Sequence, residues 1–143
     1  MDLHIDDFYR DAAIGLNILY QAFPRKVALY IDDIIGYHEP DEVGLPQLRH
    51  QQCLSTLLWL ADEGFIRYES LISFTALDQA CLTAKAFTKL NALTSDLSAQ
   101  ITQLPHSIAR VKGNLINQLR EAIQNQDSER LAELFPRLLL TGD

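Results

Sequence analysis

At Gly64 the spacing of the apolar side chains changes. Before it, Leu54, Leu57, Leu58 and Ala61 recur at i, i+3, i+4 and i+7, which predicts a helix over about 47–63, just after Pro46. After it, Phe65-Ile66-Arg67-Tyr68-Glu69 alternates with the period of a strand. A glycine readily takes the left-handed conformation that stops a helix and reverses the chain, so helix and strand meet here at a sharp corner. Ala80-Cys81-Leu82 predicts the antiparallel return of that strand, with residues 70–79 between. Thr83 can cap a further helix, in which Phe87, Leu90 and Leu93 point inward.

Around this corner the rest of the chain is mostly helical. Asp6 is suited to cap a first helix that runs to about residue 23, where Pro24 ends it. Phe8, Ala12, Leu16, Leu19 and Phe23 mark its buried face, and Ile14 and Ile18 lie on another side. A helix apolar on more than one side is central in its domain or has a second partner surface. Val27-Ala28-Leu29-Tyr30-Ile31 is compatible with a short strand. Asp32-Asp33-Ile34-Ile35 is compatible with a helical turn that Gly36 terminates, and 37–44 is a loop. Residues 94–106 are a linker or a continuation of the preceding helix.

From 107 to 143 the pattern is that of a helical hairpin turning at Asn125-Gln126-Asp127. Ile108, Val111, Leu115 and Leu119 form one stripe; Leu131, Leu134, Phe135 and Leu138 form the other. Two helices alone seldom bury both stripes, so the core or another chain must cover the remainder. These eight residues are the candidate association surface, and a homodimer is the expectation.

The order helix, short strand, short helix, helix, β-hairpin, helix resembles a winged helix-turn-helix domain over residues 6–93. Two stretches carry it. Leu57-Leu58-Trp59-Leu60-Ala61-Asp62-Glu63-Gly64-Phe65-Ile66 looks like a third helix passing through glycine into the wing. Cys81-Leu82-Thr83-Ala84-Lys85-Ala86-Phe87 looks like the last wing strand turning through a Leu-Thr corner into the next helix. The resemblance implies a mainly α fold with a small β-hairpin: a winged-helix domain over 1–93 followed by the αα-hairpin extension. It also implies macromolecular binding, because the superfamily serves both DNA readers and protein-assembly subunits. A plain all-α bundle, with 65–82 as a loop, is the competing architecture.

A DNA-reading member would lay its third helix in the major groove. Arg49, His50, Gln51, Gln52 and Ser55 on that helix, with Arg67 on the wing, are the candidate contacts, since Arg and Gln read base edges bidentately. Charge opposes this. The chain has a net charge of −7, and residues 1–48 hold nine acidic side chains against three basic ones. Residues 49–90 are neutral, with Arg49, Arg67, Lys85 and Lys89 as their cations. Four cations release few counterions from phosphate, although a dimer would double them. The wing tip, residues 70–77, has no cation and four large apolar groups: Leu71, Ile72, Phe74 and Leu77. Either these fold back on the core or they bind a protein partner.

Nothing nominates an active site. The six glycines form no phosphate or dinucleotide loop. His50 and Cys53 have a ligand-like spacing but no second pair nearby, so no metal is expected. Asp32-Asp33 reads as a helix cap and Asp62-Glu63 as a solvated pair. Trp59 reads as an inter-helix or subunit boundary. No cofactor and no small-molecule substrate is expected. An acidic start, no run of about 18 apolar residues, and two separated cysteines fit a reduced, cytoplasmic protein. The expectation is a non-enzymatic adaptor that binds protein, and a dimeric DNA-binding transcription regulator is the alternative.

Overall fold

The computed structural model describes residues 3–37, 39, 42–92 and 114–140. Helix α1 (Leu3–Ala22) is followed by strand β1 (Val27–Tyr30), helices α2 (Asp32–Ile35) and α3 (Leu48–Asp62), strands β2 (Ile66–Arg67), β3 (Ser70–Ile72) and β4 (Ala76–Leu82), and helix α4 (Ala84–Leu90). Helices α5 (Leu115–Gln124) and α6 (Ser128–Leu140) follow. The molecule is mainly helical with one small antiparallel sheet, and the stretch 65–82 is strand rather than a loop in a helical bundle.

Strand β4 is the spine of that sheet and is longer than the predicted Ala80-Cys81-Leu82. It pairs with β1 on one side, Leu29 opposite Leu77, and with β2 and β3 on the other, Ile66 opposite Leu82 and Leu71 opposite Leu77. Helix α1 begins at Leu3, so Asp6 lies within its first turn, where a carboxylate complements the helix dipole, and not at the cap.

The corner at Gly64 is built as its residue types require. Gly64 has φ +81°, and the Phe65 amide donates back to the Leu60 carbonyl at 2.9 Å. The Thr83 hydroxyl donates to the Gly64 carbonyl at 2.6 Å and accepts from the Ala86 amide at 3.2 Å. One side chain therefore closes the base of the β2–β4 pair and caps α4. Gly15 serves a different need: a Cβ there would stand 3.0 Å from a Leu57 methyl, so its absence lets α1 and α3 approach closely.

One hydrophobic core joins the sheet, α1, α3 and the C-terminal helix pair. Of the eight candidate association residues, Leu115, Leu119, Leu131, Leu134, Phe135 and Leu138 are buried within the chain itself. Phe135 meets the ring of Phe8 edge-on at 5.6 Å, and Arg120 of α5 donates to Asn17 of α1 at 2.6 Å. These six thus belong to the core: α1, apolar on two sides, supplies the cover that the hairpin alone lacks. Ile108, Val111 and Leu93 lie outside the described residues. The amide of Leu115 donates to the carbonyl of Ala92 at 2.9 Å, which ties the start of α5 to the residues just after α4.

Candidate functional site

The outward side of α3 is where a DNA-reading member would place its base contacts, and the candidate residues there have different fates. Arg49 turns inward. Its two terminal nitrogens lie 2.6 Å from the two carboxylate oxygens of Asp11, whose side chain is 1% exposed, and its Nε lies 3.7 Å from Asp7. Hydrogen bonding to Asp11 raises the Arg49 pKa further, against the opposing effect of burial. His50 is buried and donates Nε2–H to the Phe74 carbonyl at the wing tip. Gln51 donates to the Pro46 carbonyl at 2.7 Å. Gln52 is half-buried, and Ser55 and Arg67 are exposed.

The two other cations of this region are also engaged within the chain. Lys85 donates to the Glu63 carbonyl at 3.1 Å and lies 4.6 Å from the centre of the Phe65 ring. Lys89 is buried and donates to the Leu138 carbonyl at 3.1 Å, closing the last turn of α6. Three of the four cations in 49–90 are therefore held by the protein's own acceptors.

Beside Arg49, Cys53 is fully buried. Burial, with Asp11 adjacent, pushes its thiol up from the ordinary 9.0 to about 12, which keeps it protonated and unreactive. Cys81 is buried too, and both are free thiols. Among the described residues no group of three or more His, Cys, Asp or Glu could hold a metal ion. Asp32, Asp33, Asp62 and Glu63 are exposed at the ends of α2 and α3.

The wing tip divides its four candidates. Leu71 (43% exposed), Ile72 and Phe74 (54%) face solvent, while Leu77 is completely buried. Leu77 is thus a core residue and not a partner contact, because β4 is the central strand and its inward side chains meet α1. The hairpin is held at its end: the Ile31 amide donates to the Thr75 carbonyl at 3.0 Å, and His50 holds Phe74 from α3. Its apolar groups are therefore presented on a fixed support.

A groove of about 500 Å³ runs between α1 and the outward side of α3. Its apolar walls are Ile5, Phe8, Leu48 and Trp59; His4, Asp7, Gln51, Gln52 and Ser55 add polar groups. Phe8 links it to the core, with its ring edge-on to Trp59 at 5.3 Å as well as to Phe135. The groove was not evident from the sequence. Its trace is a second row on α3, Leu48, Gln52, Ser55 and Trp59, at spacings of four, three and four opposite the Leu54–Leu57 stripe.

No family model, no curated protein and no solved structure matches this chain. No helix among the described residues is long and apolar enough to cross a membrane.

Proposed function

We propose that this chain is a winged helix-turn-helix module, not an enzyme, that binds protein rather than reading DNA. The observation that carries the proposal is the internal engagement of Arg49, Lys85 and Lys89. A recognition helix whose arginine is clamped to a buried carboxylate has no guanidinium left for a guanine edge, and phosphate contact needs free cations. The element order, with β1 joining the wing strands on β4, supports the winged-helix assignment. Exposed Leu71, Ile72 and Phe74 on a braced hairpin support a protein partner, since clustered apolar groups in water mark contact surfaces.

Fluorescence anisotropy with labelled duplex DNA at low and high salt tests this. The expected result is no binding beyond weak, non-specific association. Micromolar binding that falls steeply with salt and is lost in Arg49→Ala would establish the transcription-regulator alternative instead. Sedimentation at micromolar concentration then tells whether the partner is a second copy: a homodimer through the wing should dissociate on Phe74→Asp. A monomer directs the search to a different protein.

A further inference from the structure

We draw no further inference here: the strongest candidate, the apolar groove between α1 and α3 beside Trp59, has its lining carboxylates Asp7 and Asp11 already paired with Arg49 and Arg10, and nothing in the structure shows what covers it.

Discussion

The C-terminal helix pair and the wing tip both carry rows of apolar side chains, yet the molecule treats them oppositely. Leu131, Leu134, Phe135 and Leu138 are sealed under α1, whereas Leu71, Ile72 and Phe74 stay in water. The same contrast holds for charge: Arg49 is consumed by buried Asp11, while Asp62 and Glu63 at the end of α3 stay exposed. An apolar stripe records that something must cover it, and the covering surface comes from whichever element the topology brings near. What this chain covers for itself is structure; what it leaves uncovered is available for binding.

Substitutions on the two sides should therefore differ sharply. Phe135→Ala should cost about 3–5 kcal/mol and Leu77→Ala about 2–5 kcal/mol, measured by urea denaturation, because each opens a cavity in a closed core. A cost near zero for Phe135→Ala would mean that α6 does not seal against α1. Arg49→Ala should cost about 3 kcal/mol by removing the two-point partner of buried Asp11 and leaving only Arg10, 3.6 Å away. The double change Asp11→Leu with Arg49→Met should recover most of that loss, since the pair is expensive to break and cheap to replace.

A smaller effect follows from Cys53. Below pH 9 the folded and unfolded chains both keep the thiol proton, and stability is complete. Above it the unfolded thiol ionises while the folded one, at about 12, does not. Stability should therefore fall from about pH 9 upward, by at most ~1.4 kcal/mol per pH unit. The part due to Cys53 is the difference between the wild-type and Cys53→Ala denaturation profiles, and parallel profiles would show that the thiol is not buried. The smallest effect belongs to the uncovered side. Phe74→Asp should change stability by no more than about 0.5 kcal/mol, and a loss comparable with that of Leu77→Ala would mean that the wing tip belongs to the core.

Local chemistry made much of the fold legible. The change of period at Gly64, the cap at Thr83, the termination at Gly36 and the turn before Asp127 all depend on backbone conformation and nearest-neighbour hydrogen bonds, which residue type dictates directly. Thr83 accepts from the Ala86 amide, and the Asp127 carboxylate accepts from the Arg130 amide at 3.0 Å, as capping predicts. The candidate site was legible only in part. Leu71, Ile72, Phe74 and Leu77 could be picked out as apolar groups that need the core or a partner, but which of them face solvent could not be told. Strand alternation assigns faces only once the register with β1 and β3 is known.

The remainder was decided by contacts between residues far apart in the chain. Arg49 and Asp11 are 38 positions apart, and Phe8 and Phe135 more than three times that; no spacing rule connects them. The sequence by itself determined where the chain reverses, that α3 stops at Gly64, that α4 starts at Thr83, and that its acidity is concentrated before residue 49. Only the tertiary structure decided that the third helix's arginine is clamped inward, that the hairpin's stripes close on α1, and that an apolar groove lies open beside Trp59. The reason is physical: caps and turns are settled within a few residues, whereas the burial of a stripe or the pairing of a charge depends on which distant surface the fold brings within reach.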